Sequence, residues 1–269
     1  MTAFTNHFAF EFKTGLRNST LLLMNYLFPL GFYAMMGLVM VEINPIFGDT
    51  MIPAMILFAM MASLLLGLPG PLVESREAGI FRSFKINGVP AFSILSIPAL
   101  TTMFHALIVS AIIALTAAPL FGGLNPVNWG GFILITLLSA FSLGAIGALI
   151  GVIANNARST VLWSQLVFLP SMLLGGLMMP LDILPESVRS FSALLPTTHA
   201  MQAYLGYAFG QETLFNPALS VSILTATGIL AFGLAIYLFN WDSKSDARRG
   251  HPLMALLILV PYLLGLFLA

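Results

Sequence analysis

The charged side chains of this chain concentrate in one short segment, residues 74–85. Only 7% of the 269 residues are charged and 59% are hydrophobic, yet this segment holds Glu74, Arg76, Glu77, Arg82 and Lys85. In a short helix, acids at the start and bases at the end suit the helix dipole. The pattern predicts a cytoplasmic helix that caps the second and third spans and exposes its charges to a soluble partner. The alternative is a basic loop that only sets membrane topology, but that role needs no glutamates.

Few other side chains could do chemistry. His105 is the only Asp, Glu, His, Lys or Arg well within an apolar run, and an ionisable group there marks a functional site by default. A neutral histidine bonded to a carbonyl one turn away is the structural alternative. Asn25 and Gln165 could line a translocation path or hydrogen-bond between helices. Nucleotide, zinc-protease and serine-hydrolase motifs are absent and cysteines number zero, so we expect no catalytic, cofactor or metal site in this chain.

The elements that carry these residues are membrane spans. Mean hydropathy is +0.98, and apolar runs of about twenty residues recur, as in a polytopic all-α membrane protein. Six runs can each cover a hydrocarbon core of ~30 Å: Leu21–Val41, Ile52–Leu72, Ala91–Ala118, Gly130–Ala154, Val161–Leu181 and Pro217–Trp241. Residues 242–269 combine a cytoplasmic basic linker with a shorter apolar run, Pro252–Ala269. This run could form a seventh span, a hairpin or an interfacial segment.

The basic residues predict the orientation of these spans. With the N-terminus in the cytoplasm of a cell-membrane protein, nine of the ten lie on the inner side, as the positive-inside rule requires, and only Arg189 lies outside. The acidic residues divide evenly between the two sides. Zero net charge argues against nucleic acid as a partner.

The N-terminal residues 1–20 have a separate pattern. Phe4, Phe8, Phe12 and Leu16 recur every four residues. A helix with such a stripe, too polar to cross, lies in the interface with its aromatic side chains in the acyl boundary. A frayed tail with scattered phenylalanines is the alternative.

The segment 182–212 on the far side predicts two short amphipathic helices. Pro185 suits the first position of one helix, and Pro196 stops it. Thr197 or Thr198 would then cap a second helix that ends at Gly210. In the fourth span, Gly144, Gly147 and Gly151 leave one side smooth, which predicts close packing against another helix.

Two blocks resemble the ABC-2 family, the permeases of ATP-binding cassette exporters. The segment "VESREAGIFRSFKINGVP" is similar to the family's E-R-E-x-G-x-x-R-x-L-x-x-x-P-V region, with Glu74, Glu77, Gly79 and Arg82 at matching positions. Its Val89–Pro90 reverses the order that many members have. Residues 169–204 resemble the fifth span and the adjoining outer segment, through Gly176, Pro180, Leu184, Pro185, Leu195, Pro196, Thr198 and Ala200. The resemblance covers about residues 5–241, and the seventh apolar run departs from the six-span plan.

The resemblance implies six spans of ABC-2 type in residues 21–241 behind an N-terminal interfacial helix. It implies a homo- or heterodimer of permease halves, each docking a separate ATPase that binds ATP and Mg²⁺. Residues 73–90 would be the coupling segment, with Glu77 and Arg82 forming ion pairs across the joint, and Pro180, Pro185 and Pro196 would belong to the extracellular roof. Few polar residues in the spans favour a hydrophobic or amphipathic substrate. A stand-alone channel or secondary transporter, and a membrane enzyme or scaffold, are the alternatives.

Overall fold

The structure, a computed structural model, describes residues 2–44, 47–242 and 250–268. Helices account for all regular structure in this part of the chain. Within the described residues, five helices are long and apolar enough to cross a membrane: α2 (Ser19–Ile43), α3 (Phe47–Glu77), α5 (Ala91–Phe121), α6 (Trp129–Ile153) and α10 (Pro217–Leu238). The shorter helices are α1 (Thr2–Arg17), α4 (Ile80–Ile86), α7 (Ala157–Leu174), α8 (Glu186–Ser192) and α9 (Pro196–Ala203).

The bundle has two ends. They are named after the roles that the sequence predicts for them. The docking end carries residues 69–90, 154–157 and 239–242, and the roof end carries residues 44, 47–50, 122–128 and 175–216. Asparagine side chains begin four helices by accepting hydrogen bonds from their first backbone N–H groups: Asn18, Asn128, Asn156 and Asn216. These caps satisfy donors that have no partner within the helix.

The predicted count of six spans is not confirmed. The fifth predicted span, Val161–Leu181, corresponds to α7, which has 18 residues and ends at Leu174. Its length is about 27 Å at 1.5 Å per residue, near the lower limit for a span, and α7 is not among the five helices that are long and apolar enough to cross a membrane. The helix stops because the chain turns at Gly175 and Gly176, the latter at φ 84°.

Helix α3 lies at the centre of the bundle, because every side chain from Met51 to Leu65 is buried. Its middle widens into a π-helix, Ala62–Gly67, as α2 does at Leu23–Leu27. A proline follows each wide turn within two residues, Pro69 and Pro29. Proline has no N–H and clashes with the preceding turn, so the wide turn accommodates it.

The predicted close packing along Gly144, Gly147 and Gly151, the glycine seam of α6, is confirmed. A Cβ on Gly147 would collide with the Leu64 carbonyl oxygen of α3, and one on Gly151 would lie 2.9 Å from Leu72 Cδ1. A Cβ on Gly144 would lie 3.3 Å from the side chain of Met103 and 3.6 Å from that of Leu64. The missing side chains therefore let α6 touch the main chain of the central helix.

Three predictions for residues 182–212 were wrong in detail. Pro196 begins α9 instead of stopping a helix, and Thr197 and Thr198 donate to the carbonyls of Ser171 and Ser192 instead of capping. Helix α9 is not amphipathic in its setting, because all eight of its residues are buried. A π-helix, Tyr204–Ala208, continues it.

The C-terminal run folds alongside α10. A 3₁₀-helix, Pro252–Leu259, leads into α11 (Val260–Leu268). At the docking end, a Cβ on Gly250 would lie 2.9 Å from Leu238 Cδ2, and towards the roof end the Tyr262 ring lies 5.5 Å from the His199 ring. Eight 3₁₀ residues at about 2.0 Å and nine α-helical residues at about 1.5 Å extend about 30 Å, the thickness of the core.

The N-terminal helix packs on α5. The rings of Phe8 and Phe12 lie 6.4 and 5.7 Å from the ring of Phe104, edge to face. These two aromatic residues therefore contact protein at the positions where the stripe predicted contact with lipid. The side chains of Phe4 and Leu16 lie outside the described part.

Candidate functional site

The docking segment, residues 73–90, forms a bent helix pair. The first arm is the end of α3, Pro69–Glu77, and the second is α4. Gly79 joins them at φ 75°, a left-handed conformation that disfavours residues with a Cβ. Its N–H donates to the Arg76 carbonyl at 3.1 Å, and Gly88, also left-handed, ends the second arm. Gly79 thus sets the bend.

The prediction of one helix with acids first and bases last was wrong. Glu74 and Glu77 lie in the last two turns of the first arm, at the negative end of its dipole. Lys85 lies in the last turn of α4, where a positive charge is favourable. The helix dipole therefore does not stabilise Glu74 and Glu77 and does not explain their position.

Arg76 is not an exposed docking residue. Its side chain is 6% exposed, and its guanidinium donates to the carbonyls of Gly151, Val152 at 2.8 Å and Ala154. Those carbonyls lie at the C-terminal end of α6, where no intrahelical donor remains. Arg76 therefore caps α6 and fastens it to the first arm.

The second arm is fastened to the end of α10. Arg82 forms an ion pair with Asp242, and the Phe81 ring lies 5.4 Å from the Phe239 ring. Phe81 is 5% exposed, so its side of α4 faces the protein. The sequence did not predict a role for Asp242, because no local pattern connects two residues that lie 160 positions apart.

The outer face of the docking segment combines charge with apolar surface. Glu74, Glu77 and Lys85 are exposed, and 57% of the Arg82 side chain stays accessible beside Asp242. Ile80 and Ile86 are also exposed, the latter to 80%. A charged surface with two exposed isoleucines is suited to a protein partner.

His105 joins three elements. Its Nδ1 lies 2.6 Å from the Tyr26 hydroxyl of α2, and its ring stacks on Phe12 of α1 with centroids 4.4 Å apart. Its Nε2 is buried without a hydrogen-bond partner among the described residues and faces Gly15. The ring thus holds α1 and α2 against α5.

Asn25 and Gln165 have different surroundings. Asn25 is buried in the π-helix of α2, and its Oδ1 would lie 3.3 Å from a Cβ on Gly67 of α3. Gln165 is half-buried on α7. In the described chain, the amide oxygens of both are buried without a hydrogen-bond partner. Among the described residues, no hydrogen bond joins Asn25, Gln165 and His105 to one another.

At the roof end, each predicted proline begins a helical turn. Pro180 precedes a 3₁₀ turn, Leu181–Ile183, Pro185 precedes α8, and Pro196 is the first residue of α9. Buried polar groups of α9 then hold the surrounding loops. His199 Nε2 bonds to the Ala193 carbonyl at 2.8 Å, and Gln202 Oε1 accepts from the Leu214 N–H at 2.7 Å.

Comparison with known protein families identifies the family of this chain. A sequence model described as ABC-2 type transporter matches residues 2–209. The chain belongs to the ABC-2 type transporter family. It is therefore a multi-pass membrane protein and a transport permease, and the family implies an ABC transporter with an ATPase partner.

Two relatives from Bacillus subtilis (strain 168) are similar to it. The putative transport permease YvfS is 25% identical over 193 residues, which cover 70% of this chain and 78% of the relative. The linearmycin resistance permease protein LnrN is 27% identical over 184 residues, 67% of this chain and 45% of the relative. No solved structure matches.

Proposed function

We propose that this chain is the membrane subunit of an ATP-driven exporter for hydrophobic or amphipathic molecules. It pairs with a second permease half, and each half docks a separate ATPase chain that binds ATP and Mg²⁺. The N-terminus and the docking segment face the cytoplasm, where ATP is available. The roof end faces outward.

The observation that carries this proposal is the fastening of the docking segment. Its first arm is the end of the central helix α3, Arg76 ties that arm to α6, and Arg82 and Phe81 tie the second arm to α10. A force on the exposed face of this segment therefore reaches three spans at once. Glu74, Glu77 and Lys85 are the side chains that would meet the ATPase.

The export direction and substrate class have separate support. One relative is named for resistance to linearmycin, and export of a toxic molecule is a direct route to resistance. The spans of this chain are apolar, with polar residues scattered singly. An amphipathic molecule that enters from the membrane needs no continuous aqueous path.

The test is gentle detergent extraction of the tagged chain from its own membrane, followed by mass spectrometry of bound proteins. We expect a stoichiometric ATPase with a phosphate-binding loop. Glu77→Lys should release it, because the substitution reverses an exposed charge of the docking face. Glu186→Lys, the same change at the roof end, should retain it.

Two results would contradict the proposal. In one, no ATPase binds the wild-type chain, and the purified chain alone carries ions or solutes across liposomes. That would identify a stand-alone channel or secondary transporter. In the other, the ATPase binds equally to wild type and Glu77→Lys, which would place the docking site elsewhere.

A further inference from the structure

A cavity of about 420 Å³ opens at the roof end. Its walls come from the start of α3, the loop 176–182, helix α9 and the loop 211–214. This volume is within the range of pockets that bind drug-sized molecules.

The floor of this cavity is apolar. Phe47, Leu177 and Met201 line it, each at most 5% exposed, and Met178 and Met179 line it closer to the surface. Methionine side chains are unbranched and polarizable, so such a wall adapts to ligands of different shape.

The rim of the cavity is acidic. Asp49, Asp182 and Glu212 line it from three separate segments, and all three are exposed. None of the residues that line it in the described chain is Lys, Arg or His. An anionic ligand would meet only like charges on this rim.

The basic side chain closest in sequence to this rim is already engaged. Arg189 is the only Lys or Arg between Arg158 and Lys244. Its guanidinium donates to the carbonyls of Leu181, Asp182 and Leu184, at 2.9–3.2 Å. Arg189 therefore fixes the main chain of residues 181–184, and Leu181 and Asp182 of this segment line the cavity.

We infer that this cavity binds an organic cation with an apolar body, the body on the methionine floor and the charge towards the three carboxylates. As the outward-facing site of the transported molecule, it rests on the proposed exporter function. As a binding site it stands on the cavity alone.

The probe is a pair of ions with nearly the same shape and opposite charge, tetraphenylphosphonium and tetraphenylborate. Calorimetric titration of the purified full chain in nanodiscs of neutral lipid, with empty discs subtracted, measures both. We expect saturable binding of tetraphenylphosphonium and weaker binding of tetraphenylborate to the chain. Neutralising one rim carboxylate should weaken cation binding about three-fold, and this loss should shrink in high salt.

The variants separate the rim from the general surface charge. Asp49→Asn, Asp182→Asn and Glu212→Gln together should weaken binding about ten-fold or more. Glu186→Gln removes a charge of the same end outside the cavity and should leave binding unchanged. Equal loss in this control, equal binding of both ions, or an unchanged triple variant would overturn the inference.

The result is independent of the ATPase. Loss of binding in the triple variant supports the site whether or not ATP-driven transport is found. Unchanged binding overturns the site even where transport is found. Failure of the exporter proposal shows instead as the absence of a bound ATPase.

Discussion

The Arg82 guanidinium and the Asp242 carboxylate form an ion pair between the second arm of the docking segment and the end of α10. Both side chains are partly exposed, 57% and 24%. An exposed pair contributes only about 0–1 kcal/mol to stability. Its consequence is therefore positional, because it fixes α4 relative to α10.

Breaking this pair should affect coupling more than folding. We expect Arg82→Ala and Asp242→Ala each to change the free energy of unfolding by less than about 1 kcal/mol. Both should reduce transport per ATP hydrolysed in proteoliposomes that contain the ATPase. The charge-swapped variant, Arg82→Asp with Asp242→Arg, should recover part of the loss. If Arg82→Ala alone impairs transport, Arg82 acts on the ATPase and not through Asp242.

Replacing Arg76, by contrast, should clearly reduce the stability of the fold. Arg76→Met keeps most of the side-chain volume but leaves the buried carbonyls at the end of α6 without their donor. We expect a loss of about 2–3 kcal/mol of stability, measured as thermal unfolding in detergent. Arg158→Met removes an exposed arginine near the same end and should change stability by less than about 0.5 kcal/mol. Equal effects would show that Arg76 is not a cap.

The apolar runs predicted the positions of the five long helices well, because each run is long enough to cross the hydrocarbon core. Residues 91–118 were predicted as a span and form α5, Ala91–Phe121. The glycine seam was also readable, since three glycines at helical spacing have few other uses. The end of the fifth predicted span was missed, because the apolar run continues beyond the turn at Gly175.

The sequence did not predict the direction in which individual side chains point. Arg76 and Glu77 are neighbours in the sequence, but one is buried on α6 and the other is exposed. The burial of α9 was equally hidden, since partners such as Ser171 for Thr197 come from 26 residues away. Such contacts depend on the packing of several helices, which local pattern does not encode.

The close approach of α6 to α3 gives a further prediction. Gly147→Ala places a methyl group on the Leu64 carbonyl oxygen, and backbone cannot move aside as a flexible side chain can. We expect a loss of about 1–3 kcal/mol in stability from overpacking. Gly31→Ala on α2 has open space around it and should be neutral or stabilising by up to about 1 kcal/mol. A tolerated Gly147→Ala would mean that the two helices are not in contact.

His199 makes stability depend on pH. Burial lowers the pKa of His199 below 6.5, although its bond to the Ala193 carbonyl raises it slightly. The Phe215 and Tyr262 rings lie 5.9 and 5.5 Å from its ring. The folded protein therefore keeps the neutral form while the unfolded chain takes up a proton, so stability falls as pH drops below about 6.5.

The measurement is thermal unfolding in detergent at pH 7.5 and at pH 5.5. Wild type should lose more stability between the two than His199→Gln, which keeps a polar side chain without the titration. The variant itself should be less stable at pH 7.5, because it does not reproduce both bonds of the imidazole, from Nε2 to the Ala193 carbonyl and between Nδ1 and the Ser220 hydroxyl. Parallel losses in the two proteins would show that the pKa of His199 is the same in the folded and unfolded states.

The last prediction concerns the path of the C-terminal run. Because the chain has no cysteine, single cysteines can be read without background by a membrane-impermeant maleimide. Asn87→Cys marks the docking end, Ser187→Cys marks the roof end, and Phe267→Cys, at a position 88% exposed, marks the end of α11. In intact cells we expect Ser187→Cys and Phe267→Cys to react and Asn87→Cys to react only after the membrane is opened. If Phe267→Cys instead follows Asn87→Cys, the run turns back before crossing, and its alignment along α10 does not hold in the membrane.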